Sequence, residues 1–308
     1  MVGCAGMSDH DAFLQAILEN PDDDAPRLMY ADWLTEHGDP RGEFIRIQIE
    51  LARLEPGGRF EQLKEQEEAL LRRHREDWIA SVREMASKVE FSRGFISEVT
   101  LSPRHFKHAE ALFRLTPVQH LVVHPVAGEV RELVRLVSSP VLGVLKGLTF
   151  LGTFLNGIAL AALAASPHLR NLRRLCCSST SLGPAEIDEL TSGPGLCAIE
   201  TLVLSYNRLG SEGLKKLFLC GHLGNLEYLN LSSNGIDCGG VEALAESPFL
   251  EGLKVLDLSR NQVSDRGVQA LTQSRHLTRK TGINLYGNPV SRRVQASVSA
   301  RFRGQIGF

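Results

Sequence analysis

The chain repeats one aliphatic position at an unbroken interval of 27 residues, and this period constrains the fold more than any other feature. The position is occupied, in chain order, by Leu121, Leu148, Leu175, Leu202, Leu229, Leu256 and Ile283. The surrounding pattern L-x-x-L-x-L-x-x-N-x-L is clearest in residues 199–209, 226–236 and 253–263. A fixed period of this length is typical of a solenoid, in which each repeat buries its apolar face only against its neighbours.

Each repeat is predicted to contain a short strand, a turn and a helix. Alternation in Leu202-Val203-Leu204 indicates a strand, and apolar residues at helical spacing follow about eight residues later. An asparagine stands where the chain leaves the strand, and its amide can satisfy backbone groups that the turn leaves unpaired; these residues are Asn207, Asn234, Asn261 and Asn288. We therefore expect seven α/β units over residues 118–290, with a parallel sheet on the concave side and helices on the convex side.

Residues 95–308 resemble the leucine-rich repeat family, and the long helical half of each repeat looks most like its ribonuclease-inhibitor-like subclass. The pattern departs from the family at Thr153 and Thr180, which replace the asparagine, and at Cys177, which replaces a core leucine. The repeats are assigned to residues 96–290. Apolar residues spaced four apart predict a capping helix over residues 291–308; they are Val290, Val294, Val298 and Phe302.

The segment before the repeats has a different pattern. Residues 8–54 predict three short helices, with Tyr30 or Trp33 buried against the third. The sequences RLMYADWLTEHGD (Arg27–Asp39) and RGEFI (Arg41–Ile45) resemble the repeat-companion domain, a bacterial module found ahead of leucine-rich repeats. Residues 55–95 are predicted to be a charged helical connector followed by short strands, with a turn at Arg93-Gly94. The resemblance of residues 8–54 to the repeat-companion domain implies no biochemical activity.

Composition narrows the classes of function. Residues 1–86 carry 10 Lys and Arg against 19 Asp and Glu, and residues 87–308 carry 24 against 17. The excess of seven positive charges in the second part is too dilute to indicate nucleic-acid binding. No run of 18 apolar residues indicates a membrane span, and residues 1–6 lack the pattern of a secretory signal. The six cysteines lack metal-site spacing, so we expect buried free thiols in a cytoplasmic protein.

Candidate catalytic groups are concentrated in one acidic region near the amino terminus. It contains Asp22, Asp23, Asp24, Asp32, Glu36, His37 and Asp39. A metal or acid/base site is one interpretation, but these residues do not follow a known ligand spacing. Helix capping and solvation also explain the charges, and Asp32 is then a structural acceptor. We expect no catalytic residue, no metal and no cofactor.

The strand residues that point away from the core would form a continuous surface. Tyrosine and arginine are frequent at interface hot spots. The predicted partner-binding residues are Arg174, Tyr206, Tyr228, Asn230, Asp257, Arg260 and Tyr286. The sequence thus favours a non-catalytic scaffold that binds a protein on its concave face. The alternative is an enzyme, or a regulator of GTPases, whose repeats recruit the substrate.

Overall fold

A computed structural model describes residues 8–124, 130–152, 155–219, 221–278, 280–301 and 306–308 of the chain. The contacts divide the chain into two compact units, Met1–Leu121 and Val122–Phe308. Cys4, Thr153, Cys220 and Phe302 lie outside the described residues.

The first unit begins with four helices, and the predicted helical character of residues 8–54 is confirmed. The helices are α1 (Asp9–Glu19), α2 (Asp24–Glu36), α3 (Arg41–Leu51) and α4 (Gly58–Trp78). Ser8 and Asp23 cap α1 and α2, because each side chain accepts a hydrogen bond from a backbone N–H of the first helical turn. A short 3₁₀ helix (Pro103–His108) and α5 (Ala109–Leu115) lie near the end of the unit.

Tyr30 is the central aromatic residue of the first unit. It is 2% exposed and lies in one apolar cluster with Ile45 and Ile49 of α3, as the sequence predicted. Trp33 is partly buried against the same cluster. Trp78, at the end of α4, packs on Phe44 with ring centroids 4.6 Å apart. Aromatic side chains therefore join three of the helices.

A two-stranded hairpin completes the first unit, with β1 (Lys88–Ser92) antiparallel to β2 (Phe95–Leu101). The predicted turn is confirmed, since Arg93 and Gly94 connect the strands with φ of 52° and 84°. A Cβ on Gly94 would come within 2.1 Å of Ile45 Cγ1, so only glycine fits against α3 here. The Gly94 N–H donates to Gln48 Oε1 at 2.7 Å, which ties the hairpin to the helices.

The second unit is built from strands at the predicted interval. After β3 (His120–Val123) come β4 (Gly147–Leu151), β5 (Arg174–Ser178), β6 (Thr201–Val203), β7 (Tyr228–Asn230), β8 (Val255–Asp257) and β9 (Gly282–Asn284). From β4 to β9, each strand pairs in parallel with the next at a register of 27 residues. Leu175, for example, lies beside Leu202, which lies beside Leu229.

A helix follows each of the strands β3 to β8. These helices are α6 (Val130–Val137), α7 (Gly157–Ala165), α8 (Pro184–Thr191), α9 (Gly210–Leu219), α10 (Cys238–Ala245) and α11 (Asp265–Gln273). The strand column from Leu148 to Leu256 and the helix column from Leu163 to Leu271 are at most 3% exposed. The predicted register is confirmed, and the fold is an α/β solenoid.

The carboxyl-terminal segment differs from its prediction. The capping helix α12 covers only Arg292–Arg301, with Val298 buried, and a further strand, β10 (Ile306–Gly307), pairs in parallel with β9. The N–H of Leu285 donates to the carbonyl of Gly307 at 2.7 Å. An unpaired edge strand exposes backbone donors and acceptors, and β10 occupies that edge.

The cysteines only partly follow the expectation of buried thiols. Cys177 is buried, and this burial raises the pKa of its thiol. Cys197 is exposed, and Cys176 and Cys238 are half-buried, so the prediction is wrong for these residues. Their positions explain the difference, because Cys176 alternates with the buried Leu175 and Cys177 along β5. Within the described ranges, every helix is too short or too polar to span a lipid bilayer.

Candidate functional site

The turn that leaves each strand is held by a row of buried asparagines. Asn234 Nδ2 donates to the carbonyls of Leu204 and Leu231, at 2.9 and 3.0 Å. Asn261 makes the same bonds one repeat later, and its Oδ1 also accepts from the N–H groups of Asn234 and Ile236. Each amide therefore connects two repeats through backbone groups that would otherwise be unpaired. The predicted role of these asparagines is confirmed.

The residue before each asparagine position adopts a left-handed backbone conformation. This holds in six consecutive repeats, with φ between 54° and 73°, at Gly152, Ser179, Tyr206, Ser233, Arg260 and Gly287. The left-handed region costs a residue with a Cβ about 1–2 kcal/mol relative to glycine. Glycine occupies the position in two repeats and serine in two others. Tyr206 and Arg260 are the two large side chains in this column.

The seven predicted partner-binding residues fall into two groups. Arg174, Tyr228, Asn230 and Asp257 lie on strands β5, β7 and β8. Tyr206, Arg260 and Tyr286 follow strands β6, β8 and β9, so the sequence was wrong to place them on the strands. Each of these strands is only three residues long, so the chain has already begun to turn before it reaches Tyr206, Arg260 or Tyr286. We call the set of seven residues the outer sheet face.

Hydrogen bonds of the sheet bring several of these residues together. The N–H of Arg260 donates to the carbonyl of Tyr286 at 2.7 Å, and Asn230 lies beside Asp257 in the register of β7 and β8. Tyr206 and Arg260 are two repeats apart, about 10 Å at the usual spacing of strands. Arg174, on β5, is likewise two strands from Tyr228, on β7.

The side chains of the outer sheet face differ in the contacts that they make within the protein. Asn230 Oδ1 accepts hydrogen bonds from the N–H and the hydroxyl of Ser232, at 2.9 and 2.8 Å. Asp257 accepts from the N–H of Ser259 at 2.8 Å and from Asn284 Nδ2 at 3.1 Å. These two side chains therefore shape the turns. By contrast, Tyr206 and Tyr286 are 56% and 59% exposed.

Two exposed apolar residues on the sheet escaped the sequence analysis as partner-binding residues. Leu151, at the end of β4, is 44% exposed, and Val255, at the start of β8, is 37% exposed. Val255 pairs directly with Tyr228 in the register of β7 and β8. The signal was present in the sequence, because both residues occupy positions that alternate with buried apolar residues.

The acidic region of the first unit forms structural contacts. Asp32 forms an ion pair with Arg46, and Asp24 Oδ2 accepts from Arg53 at 2.5 Å. His37 Nδ1 lies 2.7 Å from the carbonyl of Trp33, and the two rings stack at 4.0 Å. The prediction that Asp32 is a structural acceptor agrees with its contact. In the described part of the chain, no group of three or more His, Cys, Asp or Glu side chains could hold a metal ion.

Two arginines of the first unit stack on one aromatic ring. The guanidinium groups of Arg27 and Arg41 lie 5.1 and 4.9 Å from the centroid of Phe95. Burial, with a smaller contribution from the nearby Arg93, lowers the pKa of Arg27 to about 10, whereas Asp24 and Asp22 oppose the shift. The Arg27 Nη2 group donates to the carbonyl of Pro21 at 2.8 Å. These arginines therefore contribute to the junction between the helices and the hairpin.

Comparison with known proteins identifies the repeats. A family profile described as a leucine-rich repeat matches residues 196–218, 222–245 and 253–271. These segments contain the strand and helix of three successive units, β6 with α9, β7 with α10 and β8 with α11. The matched segments are therefore leucine-rich repeats. A search of curated proteins finds no match.

Several solved structures are similar to the chain at low sequence identity. A Bacteroides fragilis protein is 14% identical, with 79% of this chain and 81% of that chain covered and a TM-score of 0.38. The yeast complex of Rad7 and Elc1 gives 16% identity, coverage of 64% and 71%, and a TM-score of 0.28. An internalin from Listeria monocytogenes gives 15% identity, coverage of 66% and 85%, and a TM-score of 0.25.

Proposed function

We propose that this protein is a non-catalytic scaffold that binds a protein partner on the outer sheet face. The observation that carries the proposal is the placement of Tyr206 and Arg260 in the left-handed column. Each side chain is exposed, and each backbone is held in a conformation that glycine or serine adopts in the neighbouring repeats. Backbone strain at an exposed site, without burial of the side chain, is typical of a functional position.

The chemistry of the surface is suited to protein recognition. Tyrosine and arginine combine a large contact area with hydrogen-bonding groups, and they are enriched at interface hot spots. The surface also contains Tyr228 and Tyr286, and Val255 adds an apolar contact beside Tyr228. The polar Asn230 and Asp257 bond to their own turns, which holds the surface in one conformation before a partner arrives. Preorganisation of this kind reduces the entropic cost of binding.

The contacts of the acidic region favour a scaffold over an enzyme. Asp24 and Asp32 form ion pairs, Asp23 caps α2 and His37 stacks on Trp33, so these side chains have structural roles that require no reaction. We further propose that residues 8–54 are a bacterial repeat-companion domain and that the repeats are of the ribonuclease-inhibitor-like subclass. We also propose that the protein is cytoplasmic and that it binds neither nucleic acid nor a membrane. The proposed domains are residues 8–54, 55–95, 96–290 and 291–308.

An affinity purification with the full chain as bait, read by mass spectrometry, would identify the partner. Binding of that partner is then measured by calorimetry for Tyr206→Ala, Tyr228→Ala and Arg260→Ala. Truncation at a hot spot costs about 2 kcal/mol or more, so each variant should bind at least about 30-fold more weakly. Thermal unfolding should change little for Tyr206→Ala and Arg260→Ala, since substitutions of exposed residues usually alter stability by less than about 0.5 kcal/mol.

The matched control is Gln269→Ala, which removes an exposed side chain from α11 and should leave binding unchanged. Normal binding by all three sheet-face variants would contradict the proposal. Loss of binding through substitutions in the first unit, such as Trp33→Ala, would transfer the partner site to that unit. Conversion of the purified partner to a covalently changed product would favour the enzyme alternative.

A further inference from the structure

One helical position of the repeat changes character in a single unit. The carboxyl-terminal residue of α9, Leu219, is 83% exposed. At the equivalent position, 27 or a multiple of 27 residues away, the other repeats have small or polar residues, namely Ser138, Ala165, Ser192, Glu246 and Gln273. Water contacts this leucine over most of its surface, so its presence does not improve the packing of the core. A departure of this kind from the chain's own repeat pattern indicates a function at this position.

The residue before Leu219 is also larger and more apolar than its equivalents in the other repeats. Phe218 stands where the other repeats have Val137, Ala164, Thr191, Ala245 and Thr272. Its ring stacks on that of Phe249, with centroids 6.4 Å apart. A groove of about 420 Å³ between α9 and α10 is lined by Phe218, Leu219, Ala243 and Pro248. We call this feature the α9 patch, and it consists of Lys215, Phe218, Leu219, Ala243, Glu246 and Pro248.

The backbone changes at the same place. Gly221 has a φ of 67°, whereas four of the equivalent positions are proline, whose ring fixes φ near −65°. In two other repeats, Ser166 and Ser274 donate to a carbonyl 29 residues earlier, at 2.7 and 2.5 Å. The equivalent hydroxyl of Ser247 is buried and has no hydrogen-bond partner among the described residues. The α9 patch thus lies beside an irregular turn, where the hydrogen bond from the serine hydroxyl to the preceding repeat is missing among the described residues.

Charges of both signs border the α9 patch. Lys215 lies on α9 and Glu246 follows α10, and both side chains are exposed at the rim of the groove. A two-fold axis places the same surface on both partners, so that a residue i contacts j while j contacts i. An apolar centre with one cation and one anion at its rim is complementary to itself in that arrangement. A different protein would be complementary to this rim only if it carried its own matching pair of opposite charges.

We propose that the α9 patch is the contact surface of a homodimer with two-fold symmetry. Leu219 of each copy lies against the groove of the other, and Lys215 of one copy faces Glu246 of its partner. The contact is small compared with the interfaces of permanent dimers, so the dimer forms in a concentration-dependent manner. This surface is formed by α9, α10 and the residues that follow α10, and it shares no residue with the outer sheet face.

Sedimentation equilibrium of the full chain tests the dimer. The average mass should rise from 33.9 kDa towards twice that value as the concentration increases. Leu219→Asn should raise the dimer dissociation constant by about tenfold or more, since each copy loses one buried aliphatic contact. Ile158→Asn is the matched control, because Ile158 is 68% exposed on α7 and lies outside the α9 patch. That control should leave the dissociation constant unchanged.

A charge exchange gives a sharper test of the symmetry. Lys215→Glu and Glu246→Lys should each weaken the dimer, because each places like charges opposite one another at two points. The double variant in a single chain should restore it, since the pair is then re-formed with its signs reversed. Thermal unfolding checks the fold of each variant, because Lys215 also attracts Asp237 and Glu242 within its own chain.

Two results would overturn the homodimer. One is a full chain that remains monomeric at every concentration, and the other is a double variant that stays as weak as the single ones. Tyr206→Ala serves as an independent control, because it should weaken partner binding and leave dimerisation unchanged. A failure of the α9 patch is therefore distinguishable from a failure of the outer sheet face.

Discussion

Replacing Tyr206 by glycine should stabilise the repeat array and abolish most of its partner binding. Tyr206 has a φ of 56°, and its side chain is 56% exposed. Glycine adopts this backbone conformation freely, whereas a residue with a Cβ does so at a cost. The substitution therefore separates the contribution of the side chain to binding from the contribution of the backbone to stability.

The expected magnitude follows from three opposing terms. Relief of the left-handed conformation contributes about 1–2 kcal/mol to stability. The greater freedom of glycine in the unfolded chain removes about 0.5–1 kcal/mol. Loss of the tyrosine side chain costs little, because more than half of its surface is already in water. The net result is a gain of about 0.5–1 kcal/mol in the free energy of unfolding.

Urea denaturation followed by circular dichroism measures this change. The control is the reverse substitution, Gly152→Ala, at the equivalent position of an earlier repeat. Gly152 has a φ of 55°, and a Cβ added there meets no atom within 4 Å, so the effect comes from the backbone alone. We expect this variant to lose about 1 kcal/mol. Arg260→Gly should behave like Tyr206→Gly, since its φ is 54°.

A loss of stability in both glycine variants would refute the reasoning. Such a result would mean that the side chains of Tyr206 and Arg260 stabilise the fold, and their conformation would then need no functional explanation. Unchanged partner binding in a stabilised Tyr206→Gly protein would refute the functional half alone. A stabilised protein that no longer binds is the expected outcome, and it is the usual exchange of stability for activity.

The remaining predictions concern the array itself. Leu229→Ala should lower the free energy of unfolding by about 2–5 kcal/mol in urea denaturation, because Leu229 is fully buried. Asn234→Ala should cost about 2–4 kcal/mol by the same assay, since it removes two donated bonds and leaves the N–H of Leu209 without its acceptor. Hydrogen bonds from Ser211, Gly240 and Gly239 lower the pKa of Asp237, so its contribution to stability should be present above the ordinary pKa of about 3.9 and be lost as the pH falls through the lower folded value. Asp237→Asn should flatten that part of the profile of melting temperature against pH.

The repeat array could be predicted from the sequence because each buried position recurs many times. A single leucine says little about its surroundings, but Leu175, Leu202 and Leu229 lie beside one another in the sheet at the interval that separates them in the chain. The asparagine turns were predictable for the same reason, since the polar amide recurs where the strand pattern stops. The unit before the repeats was recognisable from its helix caps and turn residues.

Other features depend on contacts that a sequence does not display. Tyr206 is a residue type that avoids a positive φ, so its conformation is imposed by neighbours. Its N–H donates to the carbonyl of Ser232 in the next repeat, and the Nδ2 group of Asn207 donates to the carbonyl of Leu204 in the same turn. The strand β10 was missed because its two residues pair only with the last edge of the sheet. The arginines on Phe95 are separated from it by more than 50 residues of chain.

The geometry of the outer sheet face divides its seven residues by what their side chains already do. Asn230 and Asp257 accept hydrogen bonds from their own turns, so a partner would have to compete for those oxygens. Tyr206 and Tyr286 expose more than half of their surface, and the backbone of Arg260 is bonded to that of Tyr286. The energy of binding should therefore be concentrated at Tyr206, Arg260 and Tyr286, because burying these side chains breaks no bond within the protein.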